Sequence, residues 1–385
     1  MHTTRNHKVI DQTISIFRRM GFWHGEDRPT ASQLGLKLFY CIYYTLFPIS
    51  FAVGIITNEI ADEKIFLAEA GIIVVVLTVK IWMLLWKQQQ IMGMLNRLCV
   101  FLIRSDEAFA FFNERVETFI KFVIAFACAT IVGSCVNSIF PFIGNTRSLL
   151  IKIAFPLDYK NSEIGFWMAH IFFTTQNFVT LLGITFSVLI WYLLLHCSLR
   201  YEIIRMEIRN MGRITGGAKL KITEKERHTI FHQKLKESIE DHLHLRETID
   251  ELESFLSKLF LVQFATSGLS ICGSIYCLAF DIGDTFVERV IHVYAFFYNI
   301  AELFMITYFG NEIMLSSSRL SYSLFESKWI EQQQSTKKCI VIFGEYLKQS
   351  HEILIGQLYP LTLDTFTEIL KMSYKLFNIL KNLKH

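Results

Sequence analysis

Lys80 and Glu302 stand out first, because each interrupts a long run of otherwise uncharged, largely apolar residues, 70–86 and 290–311. A charge at membrane depth needs a partner or water, so such residues are functional candidates by default. Their opposite signs and loosely similar depth are consistent with a direct pair. They are equally consistent with a snorkelling Lys80 and a Glu302 near the inner water layer. Catalytic chemistry does not surface: there is no glycine-rich phosphate loop, no G-x-S-x-G elbow and no H-E-x-x-H helix, so an enzyme is not expected. His228, His232, His242 and His244 fall in one polar segment. Their spacing leaves no ligand set with Cys or carboxylate in zinc order. They read as solvated helix-face histidines, and neither metal nor cofactor is expected.

Polar residues inside the apolar runs recur at three-or-four spacing, which puts each set on one helical face. The sets are Ser134, Asn137 and Ser138; His170, Thr174 and Asn177; Ser267, Ser270 and Ser274; and Tyr294 with Tyr298. The serine set reads as interhelical glue, since small polar residues let helices approach and bond. The others, together with Ile73, Val76, Phe173 and Phe297, either do the same or line a mostly apolar cavity with a few hydrogen-bonding groups, suited to a small volatile molecule.

These residues need a polytopic helical bundle to position them. Of 385 residues 52% are hydrophobic and only 19% charged, which excludes disorder and makes a soluble fold unlike the usual composition. Six spans are clear: 38–58, 70–86, 122–146, 164–199, 259–280 and 290–311. The fourth is long enough to tilt or to run on as helix into water. The net charge of +3 and the lack of a basic block argue against nucleic acid. Eight scattered cysteines imply no disulfide framework, and no cleaved signal peptide is expected ahead of the first span. Residues 200–258 are polar and read as helical extensions of spans four and five. They would turn near Thr215, Gly216 and Gly217, with Ile239, Leu243, Ile249, Leu252 and Leu256 as heptad-like packing positions.

The last helix, 361–381, is amphipathic. Phe366, Ile369, Leu370, Phe377 and Leu380 oppose a stripe of Asp364, Glu368, Lys371, Lys375, Asn378 and Asn382. It lies on the membrane, packs on the bundle from the cytosol, or turns its stripe to water inside an assembly as a pore wall. If seven spans alternate, 28 of the 38 basic residues fall on one side and 7 on the other, with 3 inside spans. The positive-inside bias then predicts a cytosolic N-terminus and an extracellular C-terminus.

Several stretches carry a further signal: AFPLDY at 154–159, YFGNE at 308–312, the run from Ser318 to Trp329, YPLTL at 359–363, Thr365-Phe366 and Ser373-Tyr374. In these the chain resembles the insect odorant receptor family over essentially its whole length. The resemblance implies an all-α, seven-transmembrane subunit with a cytosolic N-terminus, an extracellular C-terminus and a cytosolic helical anchor that includes Trp329 and Tyr346. The division would be 1–37 cytosolic, 38–199 helices one to four, 200–258 cytosolic extensions, 259–316 helices five and six, 317–352 anchor, and 353–385 pore-lining helix.

Family members assemble as tetrameric odorant-gated cation channels, with the odorant held by spans two, three, four and six. That implies Ile73, Val76, Ser134, Asn137, Ser138, His170, Phe173, Thr174, Asn177, Tyr294, Phe297 and Tyr298 as odorant-binding candidates. Matching the family's constriction gives Phe377 and Lys381 as the gate, on a different face from the stripe of Lys371, Lys375 and Asn378, and Asn378 beside them is counted with the gate. The 373–377 sequence lacks the ends typical of gustatory receptors, and the stretch before span five is shorter than in the co-receptor. A tuning subunit paired with odorant co-receptors in a sensory-neuron dendritic plasma membrane is therefore expected, with a metabotropic chemoreceptor or gustatory-type channel as the alternative.

Overall fold

The computed structural model describes residues 2–25, 29–139, 142, 149, 151, 153–159, 161–213, 223–280, 282 and 286–384. Among these, ten helices carry the architecture: α1 (Lys8–Arg19), α2 (Ala31–Thr57), α3 (Ala61–Trp86), α4 (Gln88–Cys99), α5 (Asp106–Ile139), α6 (Glu163–Arg209), α7 (Glu224–Ala279), α8 (Phe286–Glu326), α9 (Gln334–Tyr346) and α10 (Leu363–Lys384). Two small antiparallel pairs complete it: β1 (His2–Thr3) with β2 (Leu102–Ile103), and β3 (Leu354–Ile355) with β4 (Tyr359–Pro360).

Six helices, α2, α3, α5, α6, α7 and α8, are long and apolar enough to cross a membrane, and each overlaps one of the six runs expected from hydropathy; residues 140–141 and 143–146 of the third run lie outside the described residues. Their surroundings can be read from exposure. On α2, Phe39, Ile42, Leu46, Ile49, Val53 and Ile56 are exposed at three-or-four spacing, an apolar stripe of the kind that meets lipid or another protein. α6 behaves differently: 78% of its most apolar window is buried, against 28% for α2 and α5. A helix apolar on all faces belongs at the centre, and α6 packs against α8, α3, α5 and α7. From Phe186 to Ile204 every residue is buried.

Helix continues past the apolar windows of both α6 and α7, as the predicted extensions require. α6 is 47 residues long and α7 is 56, and α7 opens on a capping box of Thr223 and Glu226. Thr215, Gly216 and Gly217 lie outside the described residues. Ile249, Leu252 and Leu256 are fully buried as the heptad pattern predicts, whereas Leu243 is exposed.

α10 is not among the six long apolar helices, yet it packs along α7 and α8. Its start is held at one tight point. A Cβ on Gly310 of α8 would lie 2.3 Å from the Leu361 carbonyl, so only glycine admits this approach. Leu361 N–H donates to the Ile353 carbonyl at 2.8 Å, and Thr365 Oγ1 donates to the Pro360 carbonyl at 2.6 Å. The YFG and PLT motifs, fifty residues apart, are two sides of this joint.

Candidate ligand cavity and buried ion pair

A cavity of about 460 Å³ opens between α2, α3, α5, α6 and α8. Phe47 and Phe51 come from α2, one helical turn apart with rings 5.1 Å apart, and Phe173 of α6 stacks edge-on against Phe47. α3 contributes Glu69, Ile73 and Leu77, again at one-turn spacing. Polar atoms on the wall are few. Asn177 Nδ2 reaches the Ser134 carbonyl at 3.4 Å, Thr180 Oγ1 shares a 2.7 Å hydrogen bond with Tyr44, and Tyr294 lies over Gly133. An apolar chamber with scattered hydrogen-bonding groups orients a small ligand while burying most of its surface.

Ile73, Ser134, Phe173, Asn177, Tyr294 and Tyr298 of the sequence candidates line this chamber. The structure puts Val76, Ser138, His170, Thr174 and Phe297 elsewhere. Phe297 is 62% exposed, on the outside of α8. His170 packs among Phe142, Phe166 and Trp167, and Ser138 donates to the Ser134 carbonyl. Val76 lines a separate void of about 10 Å³ with Gln263, Asn299 and Glu302. Thr174 is not on the wall either, and its buried hydroxyl has no hydrogen-bond partner. The side chain of Asn137 lies outside those described. Three-or-four spacing identifies a face but not the neighbour that face meets. Phe47, Phe51 and Glu69 were missed. The aromatic i,i+4 pair on α2 was a usable signal, and Glu69 was cut off by starting the second span at its first uncharged residue.

Beneath the cavity Lys80 and Glu302 form a direct pair. Lys80 Nζ donates to Glu302 Oε1 at 2.6 Å and Oε2 at 2.7 Å, and to Ser187 Oγ at 2.9 Å. Tyr298, itself on the cavity wall, donates its hydroxyl to Glu302 Oε2 at 3.1 Å. Lys80 is wholly buried, so neither snorkelling nor water contact describes it. The pair joins α3, α6 and α8, and one member touches the chamber through Tyr298.

At the far ends of α6, α7 and α8 the side chains are charged. Arg104 Nη1 bonds Glu207 at 2.6 Å and Asp241 at 3.0 Å, and Arg205 pairs with Glu202 at 2.7 Å. His351 sits between Tyr201, 2.7 Å from Nδ1, and Asp250, 2.9 Å from Nε2, while its backbone N–H donates to Ser317 at 2.9 Å. Burial pushes the His351 imidazole below its ordinary value, against the pull of Asp250. His242 departs from expectation: it is not solvated but buried among Tyr201, Phe343 and Tyr346. His228 instead meets Gln332 and His232 meets Thr336. Arg246 stacks over Tyr346, and Trp329 packs edge-on against Phe325.

On α10 the inward face is Phe366, Ile369, Leu370 and Ser373, the last donating to the Gly268 carbonyl at 3.0 Å. At 100° per residue Lys371, Lys375 and Asn378 point roughly opposite to Ser373. Lys371, which pairs with Glu368 at 2.9 Å, Lys375 and Lys381 are exposed, while Phe377 and Asn378 are half-buried.

The sequence profile described as 7tm Odorant receptor matches residues 68–374. The chain belongs to the odorant receptor family. It is a multi-pass membrane receptor and not an enzyme. Odorant receptor 23a of Drosophila melanogaster is 26% identical over 67% of this chain and 65% of its own length. Odorant receptor 33b of the same species is 25% identical over 73% and 72%. Odorant receptor 10 of Aedes albopictus is 27% identical over 37% and 38%. The matched region thus spans from just over a third to somewhat under three quarters of these relatives. The fold is that of the insect olfactory receptor OR5 from Machilis hrabei, solved in complex with eugenol. It superposes with a TM-score of 0.80 at 14% identity over 98% of both chains.

Proposed function

We propose that this receptor is the odorant-binding tuning subunit of a heteromeric, ligand-gated, non-selective cation channel in the dendritic plasma membrane of a sensory neuron. The 460 Å³ chamber carries the reading. It lies between apolar helices and is dominated by aromatic and aliphatic walls, and the similar OR5 was solved with eugenol, a small volatile phenol. In this reading Ile73, Ser134, Phe173, Asn177, Tyr294 and Tyr298 contact the odorant. Burial contributes about 0.8 kcal/mol per CH₂ group, and one or two hydrogen bonds set selectivity.

The N-terminus lies in the cytoplasm, α10 crosses as the seventh span, and the C-terminus is outside, in accord with the distribution of basic residues. Residues 1–37, 200–258 and 317–352 are then cytosolic, and the anchor around Trp329 and Tyr346 holds neighbouring chains. α10 lines the conduction path, with Phe377, Asn378 and Lys381 at the gate and the Lys371–Lys375 side toward neighbouring subunits. Support comes from the charged face of α10, where Lys371 and Lys375 are exposed among the described residues and which lipid would not tolerate. Odorant opens the channel by binding the open arrangement more tightly, and that difference limits the shift.

Recording odorant-evoked current from cells expressing the receptor with and without an odorant co-receptor tests the assembly. Fast current only in the co-expressing cells is expected, and a response that needs a G protein would defeat the reading. Cysteine substitution from 371 to 382 locates the gate: open-state modification at 377, 378 and 381 is expected, and modification confined to 371 and 375 would move the pore to the opposite face.

A further inference from the structure

We propose that Glu69, Cys277 and His292 form a divalent transition-metal site of zinc type that pins α3, α7 and α8 together beside the cavity. The three residues come from the same end of three helices, at the start of α3, the end of α7 and the start of α8. Each offers a ligand atom, and these atoms lie within 4.8 Å of one another. All three side chains are buried, with Glu69 4%, Cys277 1% and His292 1% exposed. A tetrahedral shell with zinc bonds of about 2.0–2.3 Å spaces its ligands about 3.3–3.8 Å apart, so side-chain rotation of about 1 Å closes it.

The donor set is selective. Thiolate and imidazole disfavour calcium and magnesium, which take oxygen, and together with one carboxylate they suit zinc. Charge agrees as well. Glu69 is held by Ser274 and by His292 Nδ1 at 2.7 Å, two partners that need carry no charge. A carboxylate and a thiolate together cancel one dication, which a buried acid in an apolar bundle otherwise lacks. His292 Nε2 is buried without a hydrogen-bond partner.

Three protein ligands leave a fourth position for water or another donor. Glu69 is also part of the cavity wall, so the site borders the ligand chamber. Occupancy would tie α7, which otherwise contributes little to the chamber, to the two helices that line it. The site does not depend on the channel reading.

The test uses the purified full-length receptor in nanodiscs, stripped of metal and titrated with Zn²⁺ and then Co²⁺. One equivalent of tight binding and a near-ultraviolet sulfur-to-cobalt charge-transfer band are expected. Cys277→Ser should abolish the band, and His292→Gln and Glu69→Gln should each weaken zinc binding at least tenfold. Cys272→Ser, buried on the same helix outside the triad, should keep both signals. A band that persists in Cys277→Ser overturns the assignment. So does the absence of one-equivalent binding in the unmodified receptor, a result that stands whether or not any variant folds.

Discussion

The cavity half and the charged half of this receptor are built from the same long helices on opposite principles. Around the chamber, α2, α5 and the early part of α6 leave much of their surface to lipid, and a volume of about 460 Å³ is left unfilled. Toward the other end, α6 is buried on every side, and Arg104, Glu207, Asp241, Tyr201, Asp250 and His351 form charge-assisted contacts between helices. Unfilled volume forgoes dispersion contacts, so the cavity half is the less stable and the more readily altered by an occupant. Geometrically satisfied polar contacts favour one arrangement.

Breaking the link between the halves should have the largest effect. Lys80→Met leaves the Glu302 carboxylate buried beneath the chamber without its cation, a loss of about 3–5 kcal/mol. Thermal unfolding in detergent should show it, and Lys80→Met with Glu302→Met should recover most of the difference. A double variant no better than the single would mean that the pair is not a unit. Next comes the joint between α8 and α10: Gly310→Ala drives a methyl into the Leu361 carbonyl and should cost about 1–3 kcal/mol. Proteolysis within 347–362 should rise while the cavity half keeps its ligand affinity; a parallel loss of both would erase the division.

Within the cavity half, Tyr294→Phe and Asn177→Ala should each remove at most one hydrogen bond, about 0.5–1.5 kcal/mol. A reordered odorant ranking with unchanged maximal current is expected, and an unchanged ranking across a panel would take both off the binding wall. The smallest effect belongs to the charged half. His351 is held neutral, so the unfolded chain binds its proton more readily. Stability should therefore be complete above its ordinary value of 6.5 and decline as pH falls below it. In His351→Gln the dependence should flatten, and an equal slope in both proteins would assign it to another group.

The apolar runs, the amphipathic last helix and the absence of enzyme motifs were legible in the chain because each is a local property: run length, residue spacing and composition decide them. Family membership was legible for a related reason, since the YFG and PLT motifs mark a close helix approach that few residues permit. The cavity was only half legible. Tyr294, Tyr298, Asn177 and Ser134 could be placed on faces, but His170, Thr174 and Phe297 share those spacings and do not line the chamber. Which face meets which neighbour depends on helix rotation and crossing, set by the whole bundle.

The pairing of Lys80 with Glu302, the burial of His242 among aromatic rings, and the meeting of Glu69, Cys277 and His292 belong to that second kind of information. Each brings together residues far apart along the chain, 222 positions for Lys80 and Glu302 and 223 for Glu69 and His292, and no periodicity relates them. Hydropathy settles that a segment enters the membrane, since transfer free energy adds up residue by residue along the chain. Which buried charge finds a partner is settled only when the helices dock, because electrostatic and hydrogen-bond energies depend on distances between segments that the order of residues does not contain.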